Sequence, residues 1–594
     1  MSLNELNQHE LFTPAELEQR FSIGKAMARG LASKFNAESH LDEARSFCYQ
    51  MILAYWNARK SKASLDWAIS PVPVKIPFIN DIAQNLAVEL GEVAATVEPI
   101  KAGYLLGSIY TATLPADVRS EWGAFYTPPP YVKRLLDMVD ESGFDWENGK
   151  IIDPACGGGA FLAPVALRML ATCGGGSAKF QLASIVSRLR GVDIDPFAAW
   201  MSHVLLEVAM LPLCVEAGRR MPKLVTVTDA LDFDEYDAFD LVIGNPPYGR
   251  LKLAPERRAK FARSLYGHAN LYGLFTDLAV RLAKPGGIIA YVTPTSFLGG
   301  QYFKALRQLM VRAAPPALIS FIEHREGVFD DVLQETLLAV YRKEASNRRP
   351  VISSLLPKPD GQSVLVHTLG EVELDIDDSP WLLPRSPEQT SLFSKLSVMN
   401  SRLRDLGYSV STGPLVWNRH KDQLRQSKRG NCVYPLIWAE SVSADGFSFS
   451  AVRRNHVPYI QVNECQNHLL ANSSCILVQR TTAKEQARRL IAAVMPKSFI
   501  DEYGAVVVEN HLNMVYSEGE TKIAPETIAA LLNSQAVDTV FRCISGSVAV
   551  SAYELNALPL PSIKDFKSLD RLVRNGADND LIEKRLGRLY GLKI

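Results

Sequence analysis

Residues 150–162 read KIIDPACGGGAFL and place an apolar run directly before a glycine-rich turn. Glycine lets a backbone adopt positive φ and approach a ligand closely, so the stretch predicts a strand, a binding turn and then a helix. The turn differs from a Walker A loop, because no Gly-Lys-Ser or Gly-Lys-Thr follows, and from a regular GxGxxG loop. A nucleotide-phosphate loop is the plainer interpretation, but Asp153 at the strand end suits a cationic group, such as an amino-acid ammonium, better than a pyrophosphate.

Around this stretch, short apolar runs alternate with helical stretches from about residue 120 to residue 345. The runs lie at 150–152, 189–192, 224–227, 239–243, 287–292, 319–322 and 336–341. Strands separated by helices of this length predict an α/β fold with a doubly wound, mostly parallel, Rossmann-like sheet. The last two runs favour an antiparallel hairpin that closes the sheet.

The chain of 594 residues predicts more than one domain. Apolar residues at helical spacing predict a helical N-terminal extension over 1–110, before a catalytic α/β domain over 111–345. Prolines and a glycine predict a linker over 346–363. Residues 364–594 predict an α+β domain with a helical tail from about 566 to 592.

The overall composition predicts an ordinary soluble protein in a reducing cytoplasm. Lys and Arg total 64, as do Asp and Glu, so any nucleic-acid contact has to come from local patches of charge. No apolar run approaches the length of a membrane span, and no secretory signal is visible. The eight cysteines form no CxxC pair, which argues against a zinc site.

Acidic residues end the two strands that follow the glycine turn. In GVDIDP, Asp193 ends a strand and is predicted to accept hydrogen bonds from ribose hydroxyls, while Asp195 is predicted to cap the helix that begins at Pro196. Asp229, after the next strand, is predicted to accept from an exocyclic adenine amine. Each of these acids alone is more often a turn or cap residue, so their order after the glycine turn carries the interpretation.

The sharpest signal is DLVIGNPPYG at residues 240–249, an apolar strand that ends in Asn245-Pro246-Pro247-Tyr248. Two prolines restrict the backbone and hold Asn245 in place. The Asn245 amide oxygen and the Pro246 carbonyl can accept hydrogen bonds from a ring-conjugated amine and free its lone pair for attack. Tyr248 offers a flat face on which a planar group can stack. The plain structural alternative is a tight turn with a buried tyrosine.

With these motifs in this order, the chain resembles the N6-adenine DNA methyltransferases of restriction–modification systems, in particular the TaqI-like and Eco57I-like gamma group. Further matches are WGAFYTPP at 122–129, NLYGLF at 270–275 and LAKPGG at 282–287. The resemblance covers about residues 105 to 345. It implies S-adenosylmethionine as cofactor, a base flipped out of the duplex, and a catalytic Asn245, Pro246, Pro247 and Tyr248.

The resemblance also implies a set of residues that line the cofactor pocket. Tyr126, Thr127 and Pro128 are expected to close over its methionine end. The other expected residues are Asp153, Ala155, Cys156, Gly157, Gly159, Asp193, Ile194, Asp229, Ala230, Asn245 and Pro247.

A weaker resemblance to the target-recognition domain of the same group continues beyond residue 364. Together with the basic residues there and after the Asn-Pro-Pro-Tyr turn, it implies contact with double-stranded DNA. Ser411 aligns with a base-packing aromatic of TaqI-like enzymes, which leaves Trp417, another aromatic or none for that role. The residues expected to contact DNA are Arg250, Lys252, Trp417, Arg419, Lys421 and Arg480.

The family implies a bacterial or archaeal cytoplasmic monomer that works beside a separate cognate restriction endonuclease, with no membrane contact and no metal. Three alternatives remain open at this point. Asn-Pro-Pro-Tyr sites also methylate adenine in RNA and glutamine in proteins, and a degenerate site would leave a non-catalytic DNA-binding subunit.

Overall fold

The structure is a computed structural model that describes residues 14–63, 65–123, 126–323, 335–358, 363–377, 379–396, 398–481, 488–517, 519–544 and 549–592. The chain divides into two compact units. The first runs to Pro294 and resumes over Gln308–Ile376; the second comprises Thr295–Arg307 and the residues from Asp377 onward.

The first 377 residues contain most of the helices and the large sheet. The helices are α1 (Pro14–Ala32), α2 (His40–Lys62), α3 (Asp81–Ala94), α4 (Pro99–Thr113), α5 (Ala116–Trp122), α6 (Pro129–Glu141), α7 (Leu162–Thr172), α8 (Ala178–Arg188), α9 (Pro196–Ala209), α10 (Leu211–Ala217), α11 (Pro255–Lys260), α12 (Leu271–Leu282), α13 (Ser296–Gly299) and α14 (Lys304–Ala313). The strands are β1 (Ile151–Asp153), β2 (Leu189–Asp193), β3 (Val225–Val227), β4 (Phe239–Gly244), β5 (Arg250–Leu251), β6 (Ala269–Asn270), β7 (Ala283–Pro294), β8 (Pro316–Ile322), β9 (Thr336–Arg342), β10 (Val351–Pro357) and β11 (Val364–Glu371).

Within the described residues, nine of these strands form one sheet in the order β11-β10-β8-β9-β7-β4-β1-β2-β3. The strands from β7 to β3 are parallel to one another. β9 is antiparallel to both of its neighbours, β7 and β8. The predicted doubly wound α/β sheet is therefore confirmed. The antiparallel pairing of β8 with β9 is confirmed as well, but this hairpin does not close the sheet, because β10 and β11 continue it beyond β8.

The N-terminal helices are not a separate extension, because they share one hydrophobic core with α9. Phe47 and Met51 of α2 are fully buried in the same cluster as Phe197, Trp200 and Val204 of α9. α9 is consequently buried from Phe197 to Ala209. The predicted helical character of residues 14–110 is confirmed, but the boundary at 110 is not a boundary in packing.

α9 and α10 also bear on the expectation that no segment spans a membrane. In the described part of the chain, no single helix is long and apolar enough to cross one. α9 and α10 together pass by length and composition alone, and they are bent by 67° at their junction.

The predicted linker over 346–363 is wrong for half of its described residues. β10 lies in this range, pairs in parallel with β8 and pairs antiparallel with β11. Pro350 precedes the strand and Pro357 ends it, and a missing N–H is tolerated at both positions. Ile352 and Leu355, which lie between the two prolines, are fully buried. The sheet continues to Glu371, so the predicted domain start at 364 is wrong too; residues 359–362 of the predicted linker lie outside the described residues.

The second unit mixes short strands with helices, as the α+β prediction requires. Its later helices are α15 (Thr390–Leu396), α16 (Lys497–Tyr503), α17 (Pro525–Leu532), α18 (Gln535–Ile544), α19 (Ala552–Ala557), α20 (Ile563–Arg574) and α21 (Asn579–Tyr590). Its strands are β12 (Tyr408–Thr412), β13 (Leu424–Arg425), β14 (Val433–Ile437), β15 (Val442–Ser443), β16 (Gly446–Phe447), β17 (Tyr459–Gln461), β18 (Leu470–Ala471), β19 (Ile476–Gln479), β20 (Ala492–Val494), β21 (Val506–Val508) and β22 (Leu512–Ser517). They form sheets in the orders β12-β22-β19-β20 and β13-β17-β14-β21-β18, beside the hairpin β15-β16. The predicted helical tail is present as α20 and α21.

The burial of β10 gives a stability prediction. Leu355→Ala is expected to lower the free energy of unfolding by about 3 kcal/mol, since it removes a fully buried side chain and leaves a cavity in the sheet core. Leu365→Ala is the matched control, because Leu365 on the adjacent β11 is 46% exposed and its loss should cost less than about 1 kcal/mol. The free energies of unfolding of the two variants are measured by chemical denaturation. Equal and negligible losses in both variants would support the linker interpretation instead.

Candidate active site

The first strand of the candidate site delivers a buried carboxylate. β1 ends at Asp153, whose side chain is 1% exposed. Its Oδ1 accepts a hydrogen bond of 3.1 Å from the Ala155 amide, while the buried Oδ2 has no hydrogen-bond partner in the described part of the chain. Burial raises the pKa of Asp153 to about 8, and the nearby charge of Asp193 also raises it. An unpaired buried carboxylate is costly, so this position favours a cationic ligand group.

The glycine turn after Asp153 is fixed to the end of β2. The Gly157 amide donates to Asp193 Oδ2 at 2.8 Å, and the amide of the buried Cys156 donates to the Val192 carbonyl. Gly159 has φ +88°, and a Cβ there would lie 2.7 Å from Ser202 Oγ. The close approach to α9, not only the ligand, therefore requires glycine at this position.

Asp193 is oriented by two backbone donors at the end of β2. Its Oδ1 accepts from the Asp195 amide at 2.9 Å, and its Oδ2 accepts from Gly157. Asp195 caps α9 through the Phe197 amide at 3.0 Å, which confirms the predicted cap. Ile194 between the two acids is 56% exposed and presents apolar surface beside the carboxylate.

Asp229 already has two donors in the structure. Its Oδ1 accepts from the Leu231 amide at 3.0 Å and caps a short 3-10 turn that begins at the buried Ala230. Its Oδ2 lies 2.7 Å from the Arg257 guanidinium, which also pairs with Asp232 at 2.6 Å. The predicted acceptor of an adenine amine is thus shared with a cation that sequence reasoning did not connect to it.

β4 brings the Asn-Pro-Pro-Tyr turn against Asp153, because β4 pairs in parallel with β1. At the end of β4, a Cβ on Gly244 would lie 2.6 Å from Asp153 Oδ1. Only glycine lets the strand pass so close to the carboxylate. The residue after it, Asn245, therefore emerges at the same edge of the sheet as Asp153.

The Asn245 side chain is held from two sides. Its Nδ2 donates to Thr127 Oγ at 3.0 Å, and its Oδ1 accepts from the Tyr248 hydroxyl at 2.7 Å. Pro246 is buried and Pro247 is half-buried. The amide plane is thus oriented by hydrogen bonds as well as by the rigid backbone that the sequence predicted.

The Tyr248 side chain, which is predicted to offer a flat face to a planar group, is buried in the structure, as the plain structural alternative has it. Its side chain is 6% exposed, and its ring packs edge-on to Tyr272 with centroids 6.1 Å apart. Gly123 allows this arrangement, since a Cβ there would lie 2.4 Å from the Tyr248 backbone nitrogen. Burial raises the pKa of Tyr248. A planar group can stack on this ring only after its neighbours move.

The segment of Tyr126, Thr127 and Pro128 lies against the glycine turn. The Tyr126 hydroxyl donates to the Gly158 carbonyl at 2.5 Å. Its ring fills the space that a Cβ on Gly107 would enter, at 2.0 Å. A shallow groove lies beside it and is lined in part by Gly103, Tyr104, Tyr126, Thr127, Gly159 and Leu205. The residues expected at the methionine end are therefore brought together with the turn.

The basic residues after the Asn-Pro-Pro-Tyr turn divide into two groups. Four are engaged within the first unit: Arg257 with Asp229 and Asp232, Arg258 with the Gly267 carbonyl, Lys260 with the Leu231 carbonyl and Arg263 with Asp277. Arg250 on β5 and Lys252 just after it are exposed, and their side chains form no hydrogen bond or ion pair among the described residues. Only the second group is free for a phosphate.

The predicted DNA contacts of the second unit are also unequal. Lys421 lies over the Trp417 ring at 5.6 Å, and Arg419 beside them is exposed. Arg480 donates to the Asn510 carbonyl at 3.1 Å and is half-buried, so it supports a loop. Ser411 is half-buried on β12, within its sheet.

The Asp153 carboxylate gives a prediction for ligand-free protein. The folded pKa of about 8 lies above the unfolded value of about 3.9, so its stability contribution is full below pH 4 and is lost as pH rises through 8. Asp153→Asn should remove this loss and raise the free energy of unfolding at pH 8 by on the order of 5 kcal/mol, with little change at pH 4.

The control is Asp145→Asn, because hydrogen bonds from Asn148 lower the pKa of the exposed Asp145. Its effect on stability should have the opposite sign above pH 4. Denaturation of both variants across pH 4–9 is the measurement, and a pH-independent effect of Asp153→Asn would contradict the buried-charge argument.

Comparison with known proteins agrees with this geometry. Residues 188–329 match the family model described as Eco57I restriction-modification methylase. The chain is 25% identical to the type II methyltransferase M.BsuBI of Bacillus subtilis, over 78% of this chain and 92% of that protein. It is also 25% identical to the type II methyltransferase M.PstI of Providencia stuartii, over 81% of this chain and 96% of that protein.

A solved structure shares the fold. The type IIL restriction-modification enzyme MmeI in complex with DNA aligns with a TM-score of 0.53 at 13% identity, covering 98% of this chain and 97% of that chain. Residues 188–329 therefore match the Eco57I restriction-modification methylase model within a Rossmann-like α/β fold, and over most of its length the chain is similar to type II methyltransferases.

Proposed function

We propose that this protein transfers a methyl group from S-adenosylmethionine to the N6 amino group of an adenine that is extruded from double-stranded DNA. The observation that carries the proposal is the Asn245 side chain, which is held between Thr127 and Tyr248 at the sheet edge beside the buried Asp153. The turn thus presents two oriented acceptors, the Asn245 amide oxygen and the Pro246 carbonyl. They lie next to the Asp153 carboxylate, which favours a cationic ligand group.

The chemistry of the surrounding residues fits the cofactor. The unpartnered Asp153 Oδ2 suits the ammonium of an amino-acid moiety. Asp193 is oriented for hydroxyl groups, because each of its oxygens keeps a lone pair beyond its backbone bond. Exposed Ile194 suits an adenine face. When bound, S-adenosylmethionine supplies an electrophilic methyl group on a positively charged sulfur.

Asn245 is proposed to bind the amine that is methylated. Its Oδ1 keeps one lone pair beyond the Tyr248 bond, and the Pro246 carbonyl is a second acceptor on the same rigid turn. Two acceptors draw the nitrogen toward tetrahedral geometry and free its lone pair. The protein's contribution is then orientation and fixed dipoles, and the proton leaves to water after transfer.

Extrusion of the base explains why Tyr248 can be covered in the ligand-free protein. An adenine inside a duplex cannot reach the turn, so it has to leave the stack at a cost of a few kcal/mol. Stacking on an aromatic ring returns about 1–3 kcal/mol. We propose that the Tyr248 ring is uncovered as the base enters.

DNA is the proposed acceptor because the related proteins are named as type II methyltransferases and MmeI is described in complex with DNA. Arg250 and Lys252 directly follow the catalytic turn and are exposed, as phosphate contacts require. Trp417, Arg419 and Lys421 are the proposed contacts of the second unit. We expect a monomer that works with a separate restriction endonuclease in a bacterial or archaeal cytoplasm.

The acceptor and the role of Asn245 are tested together. With labelled S-adenosylmethionine, the wild-type protein should label double-stranded DNA, with N6-methyladenine as product, and should leave RNA and protein glutamine unlabelled. Asn245→Ala should lower kcat by about 10³-fold, because it removes an acceptor used in the transition state, while the calorimetric Kd for S-adenosylmethionine stays within about twofold.

Asn148→Ala is the matched control, since Asn148 is exposed and far from the turn in sequence. Near-normal turnover of Asn245→Ala would remove Asn245 from the mechanism. Preferential labelling of RNA or of protein would show that the acceptor is RNA or protein and not DNA.

Two Tyr248 substitutions separate its ring from its hydroxyl. Tyr248→Phe keeps the stacking face and loses the bond to Asn245, so kcat should fall by only about 3- to 10-fold. Tyr248→Ala removes the face as well and should lower activity by about 100-fold. Steady-state kinetics with a DNA substrate makes the comparison, and equal losses in the two variants would assign the effect to the hydroxyl alone.

A further inference from the structure

The loop that carries Asp193 is anchored by residues from the N-terminal helices. Arg45 of α2 lies 2.7 Å from Asp195 Oδ1, and the Tyr110 hydroxyl of α4 donates to Asp195 Oδ2 at 2.5 Å. The side chains of Arg45 and Asp195 are 12% and 3% exposed, and Tyr110 is buried. These bonds cross from one layer of the first unit to the β2–α9 loop.

The anchor continues to the glycine turn through backbone bonds. Asp195 donates its amide to Asp193 Oδ1, and Asp193 in turn accepts the Gly157 amide on Oδ2. Asp195 also caps α9. Arg45 and Tyr110 thus hold the Asp195 carboxylate in place. The Asp195 amide in turn orients Asp193, the residue proposed to face the cofactor, and Asp193 holds the glycine turn at Gly157.

A buried carboxylate has this effect only while it is fully paired. Asp195 is almost removed from solvent, so a lost donor leaves its charge less compensated and the loop free to turn the carboxylate toward water. Ribose-binding geometry depends on such positioning as much as on the contacting group itself.

We propose that the N-terminal helices serve as a positioning layer for the cofactor loop, with Arg45 and Tyr110 holding Asp195 and, through it, Asp193 and Gly157. The role in cofactor affinity rests on the proposed function; the role in loop order does not. Residues 14–113 are then an integral part of the methyltransferase site instead of an accessory extension.

The chain offers a matched control for this anchor. Arg220 pairs with the buried Glu207 of α9 at 2.6 Å and donates to the Ala68 carbonyl at 2.7 Å. It likewise links α9 to the N-terminal layer through an arginine and a buried carboxylate, but it has no bond to residues 193–195. If Arg45 and Tyr110 only stabilised the fold, substitutions at these residues and at Arg220 would affect the cofactor loop equally.

The test uses the full chain with conservative variants that are expected to fold. In ligand-free protein, Tyr110→Phe and Arg45→Lys should speed hydrogen–deuterium exchange of the Gly157 and Asp195 amides by about tenfold. Arg220→Lys should leave those two amides at the wild-type rate even where it lowers the melting temperature. Unchanged exchange in both anchor variants, or an equal increase in Arg220→Lys, would overturn the proposal.

Calorimetry with S-adenosylmethionine gives the second readout. Tyr110→Phe and Arg45→Lys should raise Kd by about tenfold, with kcat near wild type at saturating cofactor, whereas Arg220→Lys should not change Kd. Asp193→Ala is the positive control for lost affinity. If the wild-type protein bound no S-adenosylmethionine while the exchange result held, the proposed function would fail and the loop anchor would stand.

Discussion

The parallel pairing of β1 with β4 is the constraint on which the rest of the site depends. It sets the ends of two strands side by side, and the missing side chain of Gly244 lets the β4 backbone pass Asp153. The Asp153 carboxylate, which favours a cationic ligand group, and the oriented Asn245 amide therefore lie at the same edge of the sheet. No other pair of neighbouring strands in the described sheet delivers both groups, so a register shift here would dismantle the site even with every residue retained.

Local patterns predicted the elements that are encoded locally. Apolar runs identified β1, β2 and β4, and the order of Asp195 and Pro196 identified a helix cap. Both signals are short in sequence, and their physical cause lies within a few residues. The same is true of the Asn-Pro-Pro-Tyr turn, whose two prolines restrict the backbone without outside help.

The errors arose where distant residues meet. Pro350 and Pro357 are typical of a linker when the sequence is considered alone. The strand β10, which lies between these two prolines in sequence, forms because β8 and β11 are available to pair with it. The basic run after the Asn-Pro-Pro-Tyr turn resembles a phosphate-binding patch, yet Arg257 and Arg263 pair with acids that the fold brings to them. The burial of Tyr248 could not be predicted from the turn alone, because its ring packs edge-on to Tyr272, which lies outside the turn in the sequence.

Charge counts therefore say less about this protein than charge placement. The chain is neutral overall, and much of its charge is used within each unit, in pairs such as Arg45–Asp195 and Arg220–Glu207. The first of these pairs orients the loop that carries Asp193, whereas the second links α9 to the segment after α2 without a bond to that loop. Arg250 and Lys252 differ from the paired cations because they are exposed directly after the Asn-Pro-Pro-Tyr turn.

A crystal structure with S-adenosylhomocysteine tests the central claim most directly. The account predicts the ligand at the carboxyl ends of β1 and β2, with its ammonium within hydrogen-bond distance of Asp153 Oδ2, its ribose hydroxyls on Asp193 and its sulfur facing Asn245. A ligand bound elsewhere on the protein, or bound with Asp153 still unpaired and Asn245 remote from the sulfur, would contradict it.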